Sequence, residues 1–111
     1  MAKSFEVRIT DHAEQALQRL ANYIAYDLFA PQTAISYIKE LRDGILSLST
    51  LPERFALTPE EPWHTYGIHQ MIVKNHFVYY WVDKDNYVVY ITDVIYVKSD
   101  KRKSLEMMPL V

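Results

Sequence analysis

Apolar and polar positions alternate from Ser4 to Ile9, with Phe5, Val7 and Ile9 on one side and Glu6 and Arg8 on the other. A period of two predicts a strand with one wet face. The period then changes. Ala13, Ala16, Leu17, Leu20, Ala21 and Ile24 recur every three or four residues, which predicts an amphipathic helix over Asp11–Phe29. Thr10 is its expected N-cap, with Asp11 in the first turn, where the helix dipole favours negative charge. Ala30-Pro31 stops it, because a residue before proline is pushed out of the helical region. Pro31 can open the next helix, where its missing N–H costs nothing. The stripe Ala34, Ile35, Ile38, Leu41, Ile45 and Leu48 carries that second helix to about Ser49. So short a connection predicts an antiparallel hairpin. Gly44 falls inside the second helix, and close approach to the first would account for it.

From Gly67 to Asp100 the chain is dense in Val, Ile, Tyr, Phe and Trp, which suit a pleated, half-buried surface. Lys74-Asn75 and Asp83-Lys84-Asp85-Asn86 interrupt it with turn chemistry. Three strands follow, Ile68–Val73, His76–Val82 and Tyr87–Val97, and their short connections make them antiparallel neighbours. In the middle strand Phe77, Tyr79 and Trp81 face one way, and Val78, Tyr80 and Val82 the other. In the last, simple alternation puts Val89, Ile91 and Asp93 on one face and Val88, Tyr90, Thr92 and Val94 on the opposite one. Between hairpin and sheet, LPERFALTPEEPWHTY reads as a long loop containing a short helical turn, and loops of that length are often functional. The tail KRKSLEMMPLV is basic and then apolar, which fits a short helix, a disordered end or a docking segment.

The order strand, helix, helix, three strands predicts an α+β domain spanning residues 1–111. An N-terminal strand, a helical hairpin and a three-stranded meander would form a four-stranded antiparallel sheet with the helices on one face. Its opposite face would gather polar groups from the strand ends into a contact surface.

Composition narrows the function classes. The 111 residues are half hydrophobic with only two glycines, which excludes a disordered chain. There is no cysteine, so disulfides and thiolate metal sites are excluded and a cytoplasmic location is expected. No apolar run approaches membrane-spanning length. The formal charge of −2 gives no general attraction to nucleic acid, so contact with RNA or DNA would need a local basic patch.

One resemblance covers nearly the whole chain. It rests on Ile9-Thr10 followed by Ala13 and Leu17, and on Leu51-Pro52-Glu53-Arg54 after the hairpin. It continues through Gly67-Ile68-His69, Ile72-Val73-Lys74-Asn75-His76, Val78-Tyr79-Tyr80, Val82-Asp83, and Val94-Ile95-Tyr96 to Asp100. In order and spacing these resemble the RelE/ParE superfamily of bacterial toxins from type II toxin–antitoxin modules. The resemblance implies a growth-inhibiting toxin with a cognate antitoxin as partner, and no cofactor. RelE-like members cut mRNA in the ribosomal A site without a metal, whereas ParE-like members bind and poison DNA gyrase. A relative that keeps antitoxin binding without toxicity is a third possibility. Fold does not choose among them. The basic and titratable residues expected at the strand ends make a RelE-like ribosome-dependent mRNA endonuclease, with ribosome and mRNA as partners, the first expectation. The gyrase inhibitor is the alternative.

Metal-free RNA cleavage needs a base for the attacking 2′-hydroxyl, charge stabilisation at phosphate and an acid for the leaving oxygen. The resemblance assigns Arg54, in the Leu-Pro-x-Arg motif, to phosphate contact; a salt bridge tying the loop to the sheet is the structural alternative. His69 stands where many members carry arginine, and it lacks that residue's permanent charge and fork. Tyr96 and Lys98 end the last strand, where RelE-like toxins place catalytic groups. Arg54, His69, Tyr96 and Lys98 are therefore the catalytic candidates. Lys74, Lys101, Arg102 and Lys103 are the substrate-binding ones, although a short charge run is usually a solvated face. His64, His76 and Tyr80 carry weaker signals, Tyr80 being best read as core packing. The histidine spacing makes no metal site. An antitoxin segment would cross the helical hairpin or the tail residues Leu105, Met107, Met108, Leu110 and Val111.

Overall fold

The computed structural model describes residues 4–110, so the Val111 end of the expected docking segment lies outside the described residues. The chain runs β1 (Glu6–Ile9), α1 (Asp11–Asn22), α2 (Pro31–Leu46), β2 (His69–Val73), β3 (His76–Asp83), β4 (Val88–Tyr96) and α3 (Lys101–Met107). Thr10 caps α1 through its hydroxyl, which accepts from the Ala13 N–H at 3.2 Å. Helix α1 is shorter than its periodicity. After Asn22 it widens into a π turn, Tyr23–Asp27, and Phe29 closes it at φ 53°. The cause is Pro31: Ala30 must leave the helical region, so the chain reverses one residue earlier, in a left-handed conformation unusual for an aromatic residue.

The sheet order is β1-β4-β3-β2. Strands β2, β3 and β4 are antiparallel as the short turns require. Strand β1 is parallel to β4, with Val7 opposite Val89, so the sheet is mixed and the expectation of an all-antiparallel sheet is corrected. Connection length dictates direction only for strands joined by tight turns, and β1 is joined to β4 through the rest of the fold. Its direction follows instead from α1, which must cross back over β4. The Thr10 N–H and hydroxyl both donate to the Ile91 carbonyl, at 3.1 and 2.8 Å, fastening that corner.

A bulge at Thr92 shifts the phase of β4: Tyr80 pairs with Ile91 but Tyr79 with Asp93. Val94 therefore lies with Ile91 and Val89 in the core under the helices, not on the opposite face as uninterrupted alternation implied. The Thr92 hydroxyl donates to the Tyr79 carbonyl at 3.1 Å, which satisfies a fully buried polar side chain.

The helical hairpin buries Ala13, Leu17, Leu41, Ile45 and Leu48 against Met71, Val78, Tyr80, Val89 and Ile91. The other face is not a polar contact surface. Trp63, Ile68, Tyr79 and Ile95 form a second core closed by Leu105 and Met108 of the C-terminal segment. At seven residues α3 is too short to be stable alone. It is held by Leu105, whose burial is worth about 1.5–3 kcal/mol, and by Asp100, which caps the Lys103 N–H. The Trp81 indole N–H also donates to the Leu110 carbonyl at 2.9 Å. Of the alternatives for the tail, a short packed helix is the one adopted.

Gly44 faces Val73 of β2, not α1. A Cβ built there would lie 2.8 Å from Val73 Cγ2 and 3.3 Å from Cγ1. Gly44→Ala gains about 1 kcal/mol of helix propensity but overpacks a stiff β-branched side chain, at about 1–3 kcal/mol. We expect the single variant to be less stable in urea denaturation. Gly44→Ala introduced into a Val73→Ala background should instead stabilise, because the obstructing methyl groups are gone. Equal effects in both backgrounds would contradict the packing explanation.

Candidate functional site

The sequence candidates separate into two groups. Arg54 sits on a 3-10 turn, Pro52–Arg54, entered through Leu51 at φ 45°. Its guanidinium donates to the carbonyls of Ser47, Thr50 and Leu51 and to the Ser47 hydroxyl. It ties off the end of the second helix, and the carboxylate partner of the salt-bridge alternative is replaced by backbone oxygens. His69 stacks on Tyr80 at 5.0 Å, and its Nδ1 lies 2.7 Å from the Phe55 carbonyl. Tyr80 in turn donates to the Pro52 carbonyl at 2.6 Å. Arg54 and His69 thus belong to one assembly that pins the loop to β3.

Tyr96 and Lys98 lie at the other end of the sheet. Tyr96 pairs with His76, whereas His69 pairs with Tyr80. Four residues of β3 separate those positions, roughly 13 Å at strand rise. Tyr96 and Lys98 are both exposed. Among the substrate-binding candidates, Lys74 is paired with Glu40 at 2.9 Å and Lys101 with Glu60 at 3.1 Å. Arg102 stacks over Trp63 at 5.4 Å, and Lys103 is exposed without a side-chain partner among the described residues. His64 Nδ1 contacts the Thr58 carbonyl. His76 contacts the Tyr37 hydroxyl at 3.0 Å, and burial lowers its pKa. No group of three or more metal-ligating side chains forms among the described residues.

Beside Tyr96 the fold builds a cleft that the sequence reading missed. Its volume is about 270 Å³, and His12, Arg19, Asp93, Tyr96, Ser99, Ser104 and Met107 line it. Helix α1 supplies His12 and Arg19, β4 supplies Asp93 and Tyr96, and α3 closes the far side. Asp93 is only 5% exposed. His12 Nε2 lies 3.0 Å from its Oδ2, and Oδ1 accepts from the Val94 N–H at 2.8 Å. Burial raises the Asp93 carboxyl above its ordinary range, while His12, the Val94 N–H and Arg19 pull it down. The sequence did hold one signal: an aspartate inside an otherwise apolar strand must find a partner, because charged side chains are seldom buried alone. Helix α1 packs on β4 and brings His12 to that aspartate.

The outer face of the hairpin is different in kind. Ala21, Ala25, Ala34, Ile35, Ile38 and Leu46 line a groove of about 660 Å³. Phe29 is 88% exposed at its tip, with Tyr26, Ile35 and Leu46 also exposed. Contiguous apolar surface of this kind marks an interaction site.

An N-terminal strand, two helices and a mixed four-stranded sheet make an α+β fold like that of RelE/ParE-superfamily toxins of type II toxin–antitoxin systems. Residues 7–100 match the family described as the ParE toxin of the type II toxin–antitoxin system parDE, and the chain belongs to that family. No curated protein matches it by sequence. Among solved structures it is similar to a chromosomal ParDE toxin–antitoxin system from P. aeruginosa, with a TM-score of 0.71 and 15% identity over 87% of this chain and 100% of that one. It is also similar to the toxin–antitoxin complex RelBE2 from Mycobacterium tuberculosis, at 0.56 and 22% over 84% and 98%. A free-state double mutant of E. coli toxin RelE gives 0.62 and 10% over 91% and 92%. At these identities the structures speak for the fold alone.

Two outcomes separate architecture from chemistry here. Arg54→Ala should lose about 1–2 kcal/mol in denaturant unfolding, since several charge-assisted bonds to carbonyls go with it. Lys98→Ala should stay within about 0.5 kcal/mol of wild type. Equal stabilities would show that the Arg54 contacts contribute nothing.

Asp93 gives a pH prediction. A carboxyl whose folded pKa is raised binds its proton more tightly in the folded state. Its stabilising contribution is complete below the ordinary value of 3.8 and is lost as pH rises through the folded value. The stability of wild type relative to Asp93→Asn should therefore fall as pH climbs just above 3.8 in stepped urea titrations. A rise in that window would contradict burial as the dominant influence.

Proposed function

We propose that this chain is the toxin of a type II pair that acts by binding, in the ParE-like manner, with DNA gyrase as its target and a cognate antitoxin as its neutraliser. One observation carries the preference: the four residues expected from the sequence to carry RNA cleavage do not converge. Arg54 and His69 are taken up in pinning a loop, and Tyr96 and Lys98 stand roughly 13 Å of strand away. A ribosome-dependent nuclease must also dock against rRNA, and the formal charge of −2 gives it little attraction. Surface contact needs no such convergence, and the family match supports the same branch.

The antitoxin reading now favours the hairpin over the tail. Leu105 and Met108 are committed to the second core, whereas the hairpin groove is open and apolar. A groove of that shape accepts an amphipathic helix.

The RelE-like reading keeps one supporting observation, since Tyr96 is exposed beside a histidine–aspartate pair and Lys98 follows two residues later without a partner. Codon-positioned cuts in mRNA in a translation extract would establish it. For the preferred reading, purified protein should inhibit gyrase supercoiling and trap DNA breaks, and the neighbouring gene's product should reverse both. Normal supercoiling at micromolar toxin would reject it.

A further inference from the structure

The parallel pairing of β1 leaves an unfinished row. Strand β1 covers β4 only from Val88 to Ile91, because Thr10 turns the chain into α1. Below that point no strand pairs with the outer edge of β4 among the described residues. The Val97 N–H bonds the Asn75 carbonyl on the β3 side, so alternation points the main-chain groups of Tyr96 and Val94 outward.

Two of those four outward groups are already used. Asp93 Oδ1 accepts from the Val94 N–H, and the Tyr96 carbonyl accepts from the Ser99 N–H. The Val94 carbonyl and the Tyr96 N–H remain. That leftover pair is met most compactly by a parallel strand. A single residue of a parallel strand donates to the carbonyl of one residue and accepts from the N–H two further on. An antiparallel partner would meet the same two groups with two residues, two positions apart.

The cleft lies along this edge, and charge is arranged around it. Arg19 is exposed and makes no hydrogen bond or ion pair among the described residues, and neither does Lys98. Most other basic side chains are engaged: Arg8 with Glu6, Lys39 with Asp43, Arg42 with Glu14, Lys84 with Glu53. A chain with net negative charge thus presents two exposed cations beside this strand edge, with Arg19 acting on Asp93 only through its field.

We propose that the edge from Val94 to Tyr96 receives a short extended segment of the antitoxin, running parallel to β4 and completing the row that β1 begins, with an acidic side chain placed on Arg19. This rests on the toxin reading for the existence of an antitoxin, but concerns a surface distinct from the hairpin groove. The Ser99 and Ser104 hydroxyls, which have no hydrogen-bond partners among the described residues, lie in the same cleft to meet its polar groups.

Amide hydrogen exchange by NMR on the free full-length chain and on its complex with the neighbouring gene's product tests it. The Tyr96 amide should exchange freely in the first and be slowed at least about tenfold in the second, with Val89 protected in both. Arg19→Gln removes the charge at an exposed position without placing a second carboxylate near Asp93. It and Arg19→Glu should each weaken the complex, the latter by about tenfold or more, with folding of both checked by the Val89 amide protection. A complex in which the Tyr96 amide exchanges as in the free chain, or in which Arg19→Glu leaves affinity unchanged, overturns the proposal. In either case the toxin reading stands, with the hairpin groove as the whole interface. If no complex forms, both readings fall.

Discussion

The molecule depends on strand β3 being buried from both sides at once. Tyr79 and Tyr80 are neighbours in sequence, face opposite ways and are both fully buried. Two large aromatic side chains cannot be hidden like this unless each face of the sheet has its own cover. The helical hairpin covers Tyr80, and α3 with the Trp63 loop covers Tyr79. The two covers differ in strength. The hairpin contributes two long helices, whereas α3 is seven residues held by Leu105, Met108 and a few polar ties. Beneath it the Tyr79 hydroxyl has no hydrogen-bond partner among the described residues, and burial first, then Glu60 and Asp93, oppose its ionisation. An unsatisfied phenol marks this layer as the less finished of the two.

The same two-sidedness explains what was legible in the sequence. Helical and strand periods are local properties, so the hairpin, the meander and the Thr10 cap could be read directly. The Thr92 bulge could not, because it adds no Gly or Pro and is stabilised by a hydroxyl reaching the Tyr79 carbonyl across the ladder. Nor could the parallel sense of β1, which depends on how α1 crosses β4. The tail pattern Leu105, Met107, Met108 and Leu110 fits a partner surface as well as a core, and only the second sheet face decides between them. Gly44 was correctly read as a close approach, but its neighbour is Val73 of β2, a contact far removed in sequence.

The site was less legible than the fold, for a physical reason. Resemblance points to positions, whereas function needs unengaged groups, and engagement is a property of three dimensions. Arg54 keeps its motif position yet spends its donors on three carbonyls. Lys101 keeps its place in a basic run yet bridges Glu60, fastening α3 to the loop. Burial pushes the Glu60 carboxyl upward, but bonds from Thr58 and Lys101 outweigh it and hold the group ionised for that role. Charge counted along the chain therefore overstates what a partner can reach.

Once engaged groups are set aside, the remaining chemistry is divided by kind across the surface. Apolar area is concentrated on the hairpin, where Phe29, Tyr26, Ile35 and Leu46 face solvent. Hydrogen-bonding backbone left unpaired among the described residues, and the exposed cations Arg19 and Lys98, lie along the lower edge of β4. Bare strand edges are normally shortened, charged or covered because they invite adventitious pairing. Here the edge is only partly disarmed: Asp93 blocks one amide, and the turn at Ser99 occupies one carbonyl. A protein that had only to avoid aggregation would gain by blocking the rest. Leaving one acceptor and one donor in parallel register, inside a cleft and beside Arg19, is the arrangement expected of an edge kept for a specific strand.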